Sequence, residues 1–317
     1  ACLVSEYGDW EYYAQNAGLD QAAWADLAAD EANSRQLRWH GERAMLQQAT
    51  NFQEAHNDNL KTIAFADGLL VMFDSNRRYA PDIESSGCMD LYRLPKFSYY
   101  FFRSQRDPNE EAPMVFIANH WAPDSPMEVR VFSNCDEVEL RLNGRPLERR
   151  GPDTGRLSSH LAHPPFTFSV VAFEAGTLEA VAFLGSQETA RHTVQTPGPV
   201  EALRLRLDEQ GRPFGADGKD VVFVHGLLQD AAGQAVSDVW TNVFFGTTGG
   251  CEMVGANPAS SEAGIASAVV QSNDGAGDPA IHARGILDEG GRIRVLAAST
   301  LDVVLETRVT TDVTAPT

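Results

Sequence analysis

The sequence predicts a multidomain chain: an α/β unit over residues 1–112, then two antiparallel β-sandwiches over 113–197 and 198–317. Three observations carry that reading. Continuous apolar strand segments flank a long helical stretch in the first third, the pattern of a parallel sheet covered on both faces. From about Pro113 the apolar period drops to two, the signature of strands with one buried face. Thr196-Pro197-Gly198-Pro199 is the clearest linker and divides the period-two region. A length of 317 residues suits about two domains or three small ones, and 43% hydrophobic content is ample for real cores.

Each element follows from local pattern. Ala1 to Val4 read as a short buried strand. Asp20 can cap a helix with Trp24, Leu27 and Ala28 on one face. A second helix is predicted from about Ser34 to His56, because Leu37, Gly41, Ala44, Gln48 and Phe52 recur at three- and four-residue spacing. Ile63-Ala64-Phe65 and, after Asp67-Gly68, the run Leu69 to Phe73 complete a βαβ unit. Tyr99-Tyr100-Phe101-Phe102 alternates too tightly for an exposed platform and reads as core. In the next block Val129, Val131, Val138, Leu140 and Leu142 alternate with polar residues, and Asn143-Gly144 supplies a tight hairpin turn. Phe166 to Val170 and Leu178 to Leu184 add strands. Beyond the linker, Leu203, Leu205 and Leu207 alternate up to a turn at Asp208–Gly211. Val221 to Val224, Val243 to Phe245 and Ile293 to Ala297 continue the pattern, with no helix of convincing period after residue 198.

Charge excludes several functions. Lys and Arg total 25 against 44 Asp and Glu, a net −19. Nucleic acid and anionic lipid both need a cationic surface, so neither is the expected partner. A neutral sugar is compatible. No run of about 18 apolar residues exists to span a membrane. The opening Ala1-Cys2-Leu3-Val4-Ser5 has neither an initiator Met nor a secretory signal, and suggests a fragment lacking its N-terminal part. The Thr-rich end reads as a linker or frayed tail. Cys2, Cys88, Cys135 and Cys251 are widely spaced and read as free buried thiols, which fits an exported or a cytoplasmic protein alike.

Ser5-Glu6-Tyr7-Gly8 is the sharpest chemical feature. A carboxylate at the C-terminal end of a buried parallel strand sits where barrel enzymes place catalytic groups; a helix-entry or salt-bridge glutamate is the competing reading. Asp74 and Asn76 could bind hydroxyls with Arg77 or Arg78 fixing a carboxylate, or could form a structural Asp–Arg network. Trp10, Tyr12 and Tyr13 could stack on a sugar. His160 and His163 precede two prolines and read as a loop pair rather than metal ligands. Ser272 to Asp278 lacks the spacing and terminal Glu of a calcium loop. No GxGxxG, Walker loop, HExxH or GxSxG is present, and no cofactor is expected.

The motifs, taken in order, resemble the end of a glycoside hydrolase family 2 barrel of the β-galactosidase type. Val4-Ser5-Glu6-Tyr7-Gly8 is followed by about 60 helical residues and Gly68 to Asn76, then by Ser86-Gly87-Cys88-Met89-Asp90 and Arg93-Leu94-Pro95-Lys96 through Tyr99-Tyr100 and Ser104-Gln105. Phe132 to Leu140 with Leu142-Asn143-Gly144 resembles the immunoglobulin-like domain behind that barrel, and Asp217 to Pro258 resembles a further C-terminal sandwich. The family usually carries a stacking Trp where this chain has Leu69-Leu70-Val71, and many relatives have Tyr-Asn-Arg-Gly in place of Ser75-Asn76-Arg77-Arg78.

The resemblance implies the last two βα units of a (β/α)8 barrel followed by two immunoglobulin-like sandwiches. A whole barrel takes about 250 residues, so the rest would come from a missing N-terminal part of the same polypeptide. It implies that Glu6 is the nucleophile of a retaining exo-glycosidase acting on terminal β-galactosides or related β-glycosides, with Tyr7, Asp9, Trp10, Asp74 and Asn76 as substrate-binding candidates. The family's acid/base follows an Asn on strand four; Asp9 and Glu11 do not follow Asn, so that group lies outside this chain and the isolated chain is expected to be inactive. The rival is a non-catalytic carbohydrate-binding or cell-surface sandwich protein with a degenerate barrel remnant. Were residues 198–317 a polysaccharide anchor, aromatics among Phe214, Phe223, Trp240, Phe244 and Phe245 would face solvent on one sheet.

Overall fold

The computed structural model describes residues 2–7, 38, 41–76, 83–209, 211–273 and 277–306. It divides into two compact units, Ala1–Thr196 and Pro197–Thr317.

The first unit opens with β1 (Cys2–Tyr7), α1 (Glu42–Leu60) and β2 (Ala64–Leu69), in which β1 and β2 pair in parallel. Gly41, at φ +90°, precedes the helix, which therefore starts after that residue rather than running through it from Ser34. Except for Arg38, residues 34–40 lie outside the described residues. The expected buried first strand is corrected: Leu3 is 51% exposed, and β1 has β2 as its one hydrogen-bonded neighbour among the described residues. The expected strand Leu69–Phe73 is also displaced. Asp67-Gly68 lies inside β2, because the Asp67 carboxylate is held by His56 Nδ1 (2.7 Å) and Asn59 Nδ2 (3.2 Å) from α1 and does not have to make a turn. The chain then leaves the sheet, and Phe73 bridges Met89.

Two short strands, β3 (Ser75–Asn76) and β4 (Ile83–Glu84), pair with each other ahead of α2 (Phe97–Ser104). The Tyr99–Phe102 aromatics lie on α2; Phe101 is fully buried and the other three are half-buried. Seven strands follow: β5 (Val115–Ala118), β6 (Glu128–Ser133), β7 (Glu137–Leu142), β8 (Arg145–Arg150), β9 (Phe166–Ser169), β10 (Thr177–Leu184) and β11 (Gln187–Gln195). They form two antiparallel sheets, ordered β5-β6-β9 and β11-β10-β7-β8. Asn143 (φ 51°) and Gly144 (φ 77°) make the β7–β8 hairpin, the two left-handed residues such a turn needs. Alternate inward residues, including Val129, Val131, Leu140 and Phe166, fill the space between the sheets around a fully buried Trp121. A second cluster joins the helices to the sandwich: Met45, Phe52 and Phe101 pack with Ala118, Phe132 and Leu161. Residues 1–112 and 113–196 thus share a core.

The second unit contains β12 (Ala202–Asp208), β13 (Val221–Gln229), β14 (Asn242–Thr248), β15 (Cys251–Val254), β16 (Ala259–Ser260), β17 (Ile265–Ser272), β18 (Ala280–Asp288), β19 (Ile293–Val295) and β20 (Ser299–Asp302). One sheet runs β12-β13-β17-β15 and the other β16-β14-β18-β19, with β20 also on β18. Phe214, Val224, Val243, Val270 and Ile281 form its core. The described residues of this unit include no helix. Three cysteines are buried and free as expected; Cys2 is exposed.

Candidate functional site

Because β1 and β2 are parallel, their C-terminal ends lie on the same side. The register runs Val4↔Asp67 and then Tyr7↔Leu69, so the pairing slips at Ser5-Glu6. Gly68 sits against this irregularity: a Cβ there would lie 3.1 Å from the Ser5 carbonyl oxygen. Bulges of this kind re-aim side chains. Glu6 is exposed and Tyr7 buried, on opposite faces of the strand end, and the Tyr7 carbonyl accepts from Leu70 N at 2.6 Å.

Asp74 is not open to solvent. Its Oδ1 accepts from Lys96 Nζ at 2.7 Å and from Gly87 N at 3.0 Å, and both side chains of the ion pair are fully buried. Lys96 also donates to the Ser85 carbonyl at 2.7 Å. Burial pushes the Asp74 carboxyl up to about 7, against the opposing pull of Lys96. Among the described residues the group braces the loop behind β2. Gln48 Nε2 reinforces that loop by donating to the carbonyls of Ser85 and Gly87, each at 3.1 Å, while its Oε1 accepts from Ser98 Oγ at 2.7 Å. Asn76 is exposed on β3. Asp9 and Trp10, like Tyr12, Tyr13, Arg77 and Arg78, lie outside the described residues.

Lys96 carried no assigned role in the sequence, although the Arg93-Leu94-Pro95-Lys96 segment was singled out; a lysine just before an apolar helix gives no outward sign of an interior ion pair. Arg38 and Asp90 form another nearly buried pair, at 3.4 Å. A cavity of about 580 Å3 lies beside Leu69, Met72, Cys88, Tyr99 and Phe102. Glu6, Tyr7, Asp74 and Asn76 are not among its walls. Burial pushes the Cys88 thiol there up to about 11, which disfavours its thiolate form. No grouping of three or more metal-capable side chains occurs among the described residues, and no helix among them is long and apolar enough to cross a membrane. In the second unit Trp240 and Phe244 are exposed, while Phe214 and Phe245 are core.

The described residues are mostly β-strand, with a two-sheet sandwich in each of the two units and one short parallel strand pair in the first. Residues 124–190 match a domain family of unknown function, DUF4982. A β-galactosidase of Thermoanaerobacter pseudethanolicus is 34% identical over 211 residues, which is 62% of this chain and 28% of that protein. A β-glucuronidase of Formosa agariphila is 29% identical over 153 residues, 47% of this chain and 14% of that protein. Among solved structures, a β-glucuronidase from glycoside hydrolase family 2 superposes with TM-score 0.63 at 20% identity, covering 96% of this chain and 32% of that one. A family 2 member from Bacteroides cellulosilyticus superposes with TM-score 0.61 at 19% identity, covering 77% and 36%. The resemblance to glycoside hydrolase family 2 holds: the curated relatives are its β-galactosidases and β-glucuronidases, and the coverage fits a C-terminal portion. The chain spans less than a third of the length of these curated relatives.

Proposed function

We propose that this chain is the C-terminal part of a retaining β-glycosidase of the β-galactosidase kind, with Glu6 as its nucleophile. The observation that carries the reading is the position of Glu6: an exposed carboxylate at the C-terminal end of β1, beside the parallel strand β2. That is the end of a barrel strand at which catalytic groups collect. On this reading β1, α1, β2 and α2 are the last two βα units of a (β/α)8 barrel, and the following seven-strand sandwich is immunoglobulin-like. Its packing of Phe132 and Leu161 against Phe52 and Phe101 suits a brace.

A Glu6 carboxylate oxygen attacks the anomeric carbon as the glycosidic bond breaks, and the leaving oxygen takes a proton from the acid/base carried elsewhere in the polypeptide. Water, deprotonated by that same group, then displaces Glu6 with a second inversion. The two carboxyl groups must stand about 5–5.5 Å apart. Asn76 and, outside the described residues, Asp9 and Trp10 are the subsite candidates; Tyr7 orients the strand end. Trapping with a 2-fluoro galactoside tests the assignment in the complete polypeptide: the wild type should carry the sugar on Glu6 and Glu6→Gln should not. Normal labelling of Glu6→Gln sinks it. Residues 1–317 alone should not turn over an aryl β-galactoside. Because the relatives include β-glucuronidases, aryl β-glucuronides form the second substrate series; faster turnover of these would move the reading to a glucuronidase.

A further inference from the structure

The first turns of α1 face the start of β6 across a separate cavity of about 290 Å3. Arg43, Gln47 and Thr50 line it from the helix, and Pro126, Glu128 and Arg130 from the sandwich. Its donors are the Arg43 and Arg130 guanidinium groups and the Gln47 amide, with Glu128 as its one carboxylate. Gln47 is only 8% exposed, and its Nε2 has no hydrogen-bond partner among the described residues. A buried donor left without an acceptor is costly and marks a place where an acceptor belongs. Arg130 donates one Nη1 bond to Thr50 Oγ1, while its nearest carboxylate, Glu128, stands 4.0 Å off and is largely exposed. Burial outweighs Glu128 and Asp153 and draws the Arg130 guanidinium below its usual range. Arg43 projects from the helix at the rim, exposed. In a chain of net charge −19, two guanidinium groups against the single Glu128 carboxylate leave this cavity with a net positive lining.

We propose that this cavity binds the oxyanion group of a small ligand, a carboxylate or a sulfate, gripped by Arg43, Arg130 and the Gln47 amide. Charge-assisted bonds from guanidinium groups suit these planar or tetrahedral oxyanions. At roughly 30 Å3 per water, the space holds about ten waters, so a sugar ring bearing the acid fits as well as a free ion. The site is distinct from Glu6 and stands whether or not Glu6 is a nucleophile.

The test follows the Gln47 side-chain amide resonance of the 15N-labelled chain during titration with inorganic sulfate, glucuronate and glucose. Saturable shifts with sulfate or glucuronate, and none with glucose, are expected. Arg43→Gln, an exposed substitution that leaves the fold intact, should weaken binding about tenfold, and Gln47→Leu, followed by calorimetry, should weaken it similarly. Tighter glucuronate than sulfate assigns an acidic sugar, and equal affinities a free anion; either upholds the site. No shift with either anion, equal shifts with glucose, or unchanged affinity in both variants overturns it.

Discussion

Lys96→Met tests the buried ion pair behind the strand ends. Lys96 Nζ stands 2.7 Å from Asp74 Oδ1, and both side chains are fully buried. Removing one partner of such a pair leaves a charge without water or counter-ion and costs about 3–5 kcal/mol. In the unit Ala1–Thr196, at about 2–4 °C per kcal/mol for this size, that is a fall in Tm of roughly 6–20 °C. The pH dependence gives a sharper signature. Desolvation, only partly offset by Lys96, raises the Asp74 carboxyl from 3.8 to about 7. A raised carboxyl binds its proton more tightly in the folded state, so its contribution is complete below pH 3.8 and is lost as pH rises through about 7. Without Lys96 the folded value climbs higher still, and the deficit of the variant should be larger at pH 8 than at pH 5. Urea unfolding of wild type and variant at both pH values measures it. Asp74→Leu combined with Lys96→Met should recover most of the loss, because no charge is then stranded. A deficit under about 1 kcal/mol at pH 8, or an equal deficit at both pH values, would refute the reasoning, since a stranded buried charge costs several times more.

Gly87→Ala should destabilise the same unit by about 3 kcal/mol or more, because its Cβ would lie 2.3 Å from the Asp74 backbone nitrogen and 2.4 Å from the Phe73 carbonyl carbon; urea midpoints check this. Ile63 and Phe65 are 91% and 71% exposed, so Ile63→Ser with Phe65→Ser should lower dye binding and light scattering while shifting stability by no more than about 0.5 kcal/mol. Asn143→Ala should cost about 1–2 kcal/mol through its left-handed backbone, and should also break the Asn143 Oδ1 contact to Thr177 N at 2.8 Å; hydrogen exchange at Thr177 reports it.

The sandwich strands were legible because period two is a direct consequence of one buried face. Val129, Val131, Leu140 and Leu205 point inward as their alternation requires. The Asn143-Gly144 turn was legible for a local reason, since few other pairs tolerate two positive φ angles. Strands such as β17 and β18, with Ala266, Ala268 and Ala283 in the core, were missed because small inward residues give weak contrast. At the candidate site, the motif marks Glu6 but does not report burial, and Asp74 shows the consequence. An aspartate after an apolar run reads equally as a ligand for hydroxyls or as half of an interior pair; its partner is 22 residues on, across a loop.

Helix α1 shows the physical limit of the period-based reading most plainly. The spacing of Ala44, Gln48 and Phe52 predicts one buried face, yet Gln47, Thr50, Asn51, Gln53, Glu54 and Asn57 are buried too. Gln47 Nε2 and the Asn51 amide have no hydrogen-bond partner among the described residues, whereas three of the others are held by the sandwich loops. Gln53 Nε2 donates to the Leu157 carbonyl at 3.0 Å, Asn57 Nδ2 to the Arg156 carbonyl at 2.9 Å, and Glu54 accepts from Arg156 Nη1 at 2.7 Å. At the other end of the helix, Glu42 accepts from His120 N at 2.8 Å and Ser125 Oγ at 2.6 Å. Apolar contact is non-directional and would let the helix slide over the sandwich, whereas these bonds each specify a position. A helix joined in this way to loops 100 residues downstream cannot shift without stranding several buried groups at once. Because Asp67, the anchor of β2, is bonded to His56 and Asn59 of the same helix, the sandwich loops set the position of the strand beside Glu6. Substitutions at Asn57 or Glu54 should therefore act on the Glu6 end of β1 through α1 and β2.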